Sequence, residues 1–203
     1  GKKPENEEPA LLARCREELE AERPLRRTPE LAGAPCLRGF AFLSAKPVLV
    51  LFNNADEDER LPALQPLTAD ETCLALRGKL EQELAGMSAA EAQAFLEEFG
   101  VAAPAADRVI QASYALLGLI SFFTVGDDEV RAWTIPRGTL APEAAGVIHS
   151  DFQKGFIRAE VLPYADLMAA GTYAEARRRG TVRLEGKTYT VADGDIINFR
   201  FNV

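Results

Sequence analysis

Apolar residues along this chain change their spacing twice, and each change marks a different kind of structure. Near the start, Leu11, Leu12, Cys15 and Leu19 recur at helical spacing with charged residues between them, which predicts an amphipathic helix over residues 9–23. Thr28-Pro29-Glu30 offers a capping hydroxyl followed by proline in a first turn, the signature of a second helix, and Pro35 ends or kinks that helix early. The run PVLVLF at 47–52 is unbroken, short and rich in β-branched valine, so a strand buried on both faces is expected there. A weaker strand is expected over 72–76. Residues 59–70 contain Pro62 and Pro66 and leave little room for the crossover helix that normally joins parallel strands.

Helical spacing returns with Ser88-Ala89-Ala90-Glu91, a capping box that opens a helix burying Ala92, Phe95 and Leu96 and stopping at Gly100. Pro104 starts another, with Val109, Ala112, Leu116 and Leu117 on one face and the small Ser113 among them. From about residue 120 the period drops to two. Strands are expected over 121–125, 130–135, 156–162, 181–184, 189–191 and 196–201, with tight turns at Glu185-Gly186 and Asp193-Gly194. In the last of them Ile197, Phe199, Phe201 and Val203 alternate with Ile196, Asn198, Arg200 and Asn202, giving one buried and one mixed face. Helices are expected over 142–149 and 173–179. A hairpin, a helix and further strands on one mixed sheet make the β-grasp pattern, and the fold class of the whole is α+β.

With 47% apolar residues the chain has ample material for a core. The net charge of −8 argues against a general nucleic-acid binder, and DNA in particular, because sequence-independent phosphate attraction needs clustered cations. The acidic excess is local, however. It lies in runs at 5–8, 17–22 and 56–59, while the region from 120 onward is close to neutral and leaves room for an RNA-facing surface. Cys15, Cys36 and Cys73 are odd in number and lack a C-x-x-C pair, which suits neither a disulfide framework nor a zinc site and fits a reducing, cytoplasmic setting. No apolar run approaches the roughly 18 residues that span a bilayer. The chain begins with Gly1 rather than Met and is read as the C-terminal portion of a longer protein.

Two stretches carry a family resemblance: FTVGDDEVRAWTIPRGTLAPEAAGVIHSDFQKGFIRAEV from Phe123 onward, and GTVRLEGKTYTVADGDIINFRFNV at the end. They closely resemble the C-terminal TGS-type β-grasp domain of the YchF (Obg-like ATPase) family of P-loop NTPases. More weakly, residues 11–52 resemble the end of that family's inserted helical hairpin, returning to the nucleotide domain through LSAKPVLVLFN. The resemblance implies three segments: helical (1–46), partial or degenerate nucleotide-binding domain (47–119) and TGS-like β-grasp domain (120–203). It also implies a ribosome-associated, cytoplasmic protein that uses ATP or GTP with Mg and meets rRNA or a protein partner through the TGS domain. No G-x-x-x-x-G-K-[ST] phosphate loop occurs in the sequence, so this chain by itself is expected neither to bind nor to hydrolyse nucleotide. The alternative is a binding module whose degenerate nucleotide domain only presents the β-grasp surface.

The resemblance singles out particular residues. Asn53-Asn54-Ala55-Asp56 stands where P-loop NTPases read the base, at the C-terminal end of a parallel strand. Asn53 aligns with the family asparagine and puts Asp56 in the fourth position; a slip by one residue gives Asn54 and Glu57 and restores the family's N-x-x-E. Arg77-Gly78-Lys79 stands in place of a Ser-Ala-Lys loop, so Gly78 and Lys79 complete the candidate base site. For partner binding the candidates are Arg137, Lys154, Arg158, Arg177, Arg178 and Arg179, with Arg183 and Lys187 on the same domain. Three arginines ending a helix also complement its dipole, a purely structural role. Trp133 is a packing residue or a base-stacking platform. His149, the one histidine, precedes Asp151 by two residues, but no nucleophile accompanies the pair, and a histidine at a helix end serves the dipole equally well.

Overall fold

Helix α1, Glu8–Glu20, starts with Pro9 in its first turn, where a missing N–H costs nothing, and turns Cys15, Leu11 and Leu12 inward. Leu19 at its far end is exposed rather than part of the expected apolar face. The computed structural model describes residues 7–202 other than 57, 59, 66, 102 and 127. Within them the chain divides into two compact units, Gly1–Ala92 and Gln93–Val203.

In the first unit a small core gathers Cys15, Leu25, Leu31, Ala34 and Leu37. Helix α2, Pro29–Ala32, lasts one turn, and its Thr28 makes no side-chain cap, contrary to the expectation. Pro35, expected to end or kink that helix, follows its end and sits at the start of a 3-10 stretch, Pro35–Phe40, because its fixed φ suits a first turn. Strand β1, Leu49–Asn53, pairs in parallel with β2, Thr72–Leu76, in the register Leu49↔Thr72 through Asn53↔Leu76. The sheet has two strands among the described residues, so β1 is not buried on both faces as its sequence suggested: Leu51 remains 45% exposed. The crossover contains a single helical turn, α3, Leu67–Asp70. Its end is fastened by charge: Arg26 reaches the nearly buried Glu71 at 2.5 Å, and Arg27 reaches Asp70 at 2.7 Å. The Arg26 hydrogen bonds hold the Glu71 carboxyl below its ordinary range against the opposing effect of burial. Helix α4, Gly78–Leu84, follows β2, and α5, Ala89–Glu98, opens on the expected capping box, with the Ser88 N–H and hydroxyl both donating to Glu91.

In the second unit α6, Ala105–Leu116, leads into β3, Leu119–Val125. Val109, Ala112 and Leu116 are partly buried, whereas Leu117, past the last helical turn, is exposed. Strands β3, β4 (Val130–Pro136), β5 (Phe156–Pro163), β6 (Arg183–Glu185) and β7 (Asp195–Phe201) form one mixed sheet in the order β4-β3-β7-β5-β6. The β3–β7 pair is parallel and the others antiparallel. Helix α7, Ala141–Ile148, lays the fully buried Ala141, Ala144 and Ala145 on one sheet face, where short side chains allow close approach to Ile120, Phe122, Val161, Ile197 and Phe199. On the other face α9, Tyr164–Ala170, and α10, Tyr173–Arg178, cover Leu162 and Ile196.

Two strand expectations needed correction. Residues 189–191 form no strand: a single bridge joins Thr190 to Leu140, because the opposing chain turns into α7 at once. Strand β6 starts two residues later than expected, since the N–H and hydroxyl of Thr181 both bond the Ala176 carbonyl and close α10 instead. In the last strand Ile197 and Phe199 are buried as the alternation requires, Phe201 is partly open, and Val203 lies outside the described residues. Among the described residues no helix is long and apolar enough to cross a membrane.

Candidate functional site

The parallel register of β1 and β2 brings Asn53 and Leu76 level, so the loops that follow them leave the same sheet edge side by side. The Asn54 N–H extends the ladder to the Leu76 carbonyl at 2.8 Å. Asn53 Oδ1 then accepts the Gly78 N–H at 3.0 Å, tying one loop to the other. Asp56 and Lys79 pair across the gap at 3.7 Å, and Arg77 donates to the Asp56 carbonyl at 3.4 Å. Asn53, Asp56, Gly78 and Lys79 therefore come together. Asn54 does not join them, because its amide donates to the Arg60 carbonyl at 2.8 Å, and Glu57, the partner in the alternative register, lies outside the described residues. A polar carboxylate, an ammonium group and a backbone turn open to solvent at a strand end form a surface able to hydrogen-bond the edge of a planar heterocycle.

The basic candidates on the second unit scatter into separate pairs. Arg178 and Arg179 both bind Glu175, at 2.5 and 2.9 Å, and these bonds hold the Glu175 carboxyl below its ordinary range. Lys154 pairs with Asp151 at 3.6 Å and Arg183 with Glu185 at 3.3 Å. Among the described residues Arg137, Arg158 and Lys187 have no acidic partner. Arg137 borders a shallow hollow with Tyr114, Ser121 and Asp193, and Arg158 stands directly opposite Arg200 in the β5–β7 ladder.

Trp133 is half-buried against the main core, its indole N–H donates to Thr124 at 2.9 Å, and the Arg131 guanidinium lies 4.2 Å from its ring centre, so packing is its role. His149 ends α7 and caps the N-terminus of the short helix α8, Ser150–Lys154, its Nδ1 accepting the Asp151 N–H at 3.2 Å. That is a structural use, and no cluster of three or more acidic, histidine or cysteine groups placed for a metal occurs among the described residues.

One feature escaped the sequence reading. Glu160, 6% exposed, lies on β5 between the buried Ala159 and Val161, facing the opposite side of the sheet. The Tyr173 hydroxyl and Arg177 donate to its Oε1, the latter at 2.9 Å, and Arg200 donates to Oε2 at 3.3 Å. The Tyr173 hydrogen bond, helped by Arg200 and Arg177, keeps the Glu160 carboxyl below its ordinary range although burial opposes it. Burial and the same hydrogen bond push the Tyr173 hydroxyl up to about 12. Arg177 is thereby bound to a buried carboxylate and is not merely a solvated helix-end charge. The available signal was a glutamate interrupting an apolar strand.

A short two-stranded parallel sheet carrying facing loops, followed by a five-stranded mixed sheet of β-grasp type, defines an α+β protein with a C-terminal β-grasp domain. Residues 119–202 match the family YchF-GTPase_C, described as a protein of unknown function (DUF933). The ribosome-binding ATPase YchF of Bacillus subtilis is 42% identical over 203 residues, an alignment covering 95% of this chain and 56% of that protein. That of Escherichia coli O157:H7 is 40% identical over 210 residues, covering 100% of this chain and 58% of the relative. The solved Schizosaccharomyces pombe YchF GTPase matches with a TM-score of 0.83 at 30% identity, covering 96% of this chain and 54% of that one. The chain belongs to the YchF family and spans a little over half the length of these relatives.

Proposed function

We propose that this chain is the C-terminal part of a cytoplasmic, ribosome-associated P-loop NTPase. In this reading residues 1–46 end a helical insert, 47–119 contribute part of the nucleotide domain, and 120–203 form a TGS domain that meets rRNA or a ribosomal protein. Bacterial relatives named ribosome-binding ATPase support the partner, and the Asn53–Gly78 tether beside the Asp56–Lys79 pair supports the nucleotide role. The loops suit the base end of ATP or GTP. Phosphates and Mg belong to a phosphate loop that this sequence does not contain, and contacts to them supply most of the affinity and of the transition-state stabilisation in hydrolysis.

The Asn53 tether to Gly78 supports the register that has Asp56 as the base-reading residue. A carboxylate there accepts two hydrogen bonds from guanine but meets a lone pair on adenine, so the full-length protein has a weakened or reversed ATP preference. Nucleotide competition on the full-length protein decides this. Asp56→Ala should change the ATP:GTP affinity ratio and Glu57→Ala should not, and an unchanged ratio in both removes the loop from base reading.

A further inference from the structure

Beneath α9 and α10, a cleft of about 540 Å³ opens on the sheet face opposite α7. Its floor is Glu160, fixed in place by Tyr173 and bonded at each carboxylate oxygen to a different arginine. We propose that this cleft binds the free carboxylate of an apolar residue, as found at the C-terminal end of a partner peptide. The inference stands apart from ribosome association and uses a surface that the nucleotide loops do not share.

Three observations select this ligand. Arg177 and Arg200 each commit one terminal nitrogen to Glu160 and keep their side chains more than half exposed, so both present further donors to the cleft at a separation that the buried carboxylate sets. Two guanidinium groups against one carboxylate leave a net positive charge, and Arg158 beside Arg200 adds to it, so one anion is favoured on entry. The facing wall is apolar: Leu167 and Met168 of α9 oppose Val125 and Ile196 of the sheet, with Met168 54% exposed and able to adjust to a side chain.

Asn198 on β7 supplies an amide beside this wall for the backbone of an incoming chain end. A nucleic-acid strand suits the cleft less well. Its polyanionic backbone calls for successive uncompensated cations, whereas the neighbouring Arg178 and Arg179 share Glu175 and together leave a single net charge. The one aromatic ring in the lining, Tyr173, has the Arg177 guanidinium 5.9 Å from its centre and its hydroxyl held by Glu160, so it is a poor platform for a base.

The test is a titration of the 203-residue chain, followed by the methyl resonances of its two methionines, Met87 and Met168. N-acetyl-L-leucine should move Met168 alone, with a dissociation constant on the order of millimolar, as a ligand of this size allows. N-acetyl-L-leucinamide, which lacks the carboxylate, should bind at least about tenfold more weakly. Arg200→Gln should abolish the response to the acid. Asn198→Asp, at an exposed lining position that keeps the Met168 reporter, should do the same by placing an anion in the cleft. Equal responses to acid and amide, no response to either, or a stronger response to an oligouridylate or uridine monophosphate than to the acid would each overturn the proposal.

Discussion

Asn53 and Gly78 meet so closely that the contact has no room for a side chain at 78: the amide oxygen that accepts the Gly78 N–H would lie 2.7 Å from a Cβ placed there. Because that oxygen sits at the end of a rotatable side chain, Gly78→Ala should displace Asn53 without unfolding the protein. The expected outcome is faster amide hydrogen exchange at residue 78 and in the loop after β1, with a loss of about 1 kcal/mol in overall stability. Asn53→Ala should give the same exchange pattern, since both changes delete one bond.

Gly155 offers the harder case. A Cβ there would lie 2.0 Å from the Asn202 carbonyl oxygen, a backbone atom that cannot rotate away, and the Asn202 N–H already donates to the Gly155 carbonyl at 2.9 Å. Gly155→Ala should therefore destabilise by about 1–3 kcal/mol in urea unfolding, in the range of other overpacked substitutions. A neutral result would mean that the end of β7 moves freely.

The Glu160–Tyr173 pair predicts opposite trends at the two ends of the pH scale. Glu160 has a folded pKa below its unfolded value, so its contribution is complete above roughly pH 5 and is lost as pH falls through the folded value. Tyr173 is raised from 10.0 to about 12, so its contribution is complete below the ordinary value and is lost as pH climbs towards 12. Denaturant unfolding across pH should thus show a shallower acid slope in Glu160→Gln and a shallower alkaline slope in Tyr173→Phe. Slopes identical to the parent chain would exclude the pair as a source of pH dependence.

Asp195, 1% exposed, accepts from the Tyr189 hydroxyl at 2.6 Å and the Ala192 N–H at 2.9 Å. Asp195→Ala strands both donors and should cost about 1–3 kcal/mol for each that stays dry. Burial and the bond to Asp195 push the Tyr189 hydroxyl up to about 12. A spectrophotometric titration of the variant should show one tyrosine moving back towards 10.

What the sequence displayed and what it hid follow from range. The capping box at Ser88, the valine-rich run of β1 and the alternation in β7 are local patterns, and the elements stand where those patterns put them. That Asn53 and Gly78 follow strands was legible from two local apolar runs, whereas the bond tying the two loops together was not. The cluster around Glu160 joins positions 160, 173, 177 and 200 from three elements, and no local spacing announces it. Helix α9, which Pro163 precedes and Gly171 closes at a φ of +77°, was not legible because its 7 residues are too few to display a helical apolar period. The pairing of Arg178 and Arg179 with Glu175 needed only helical spacing, and reading the arginines as a patch overlooked the acid one turn back.

The place of β7 between β3 and β5 bears on how the protein is made. The β3–β4 hairpin can form as soon as its own residues exist, but Phe123 waits for Ile196, and the two halves of the sheet share no ladder until then. Pairing across such a span is slow compared with hairpin closure, because the intervening chain must be ordered before the contact rewards it. During synthesis the face that ends up under α7 stays incomplete until residue 201 has cleared the ribosome. The two halves of the β-grasp sheet are therefore joined in one late step, and apolar strands left open until then are the ones exposed to aggregation.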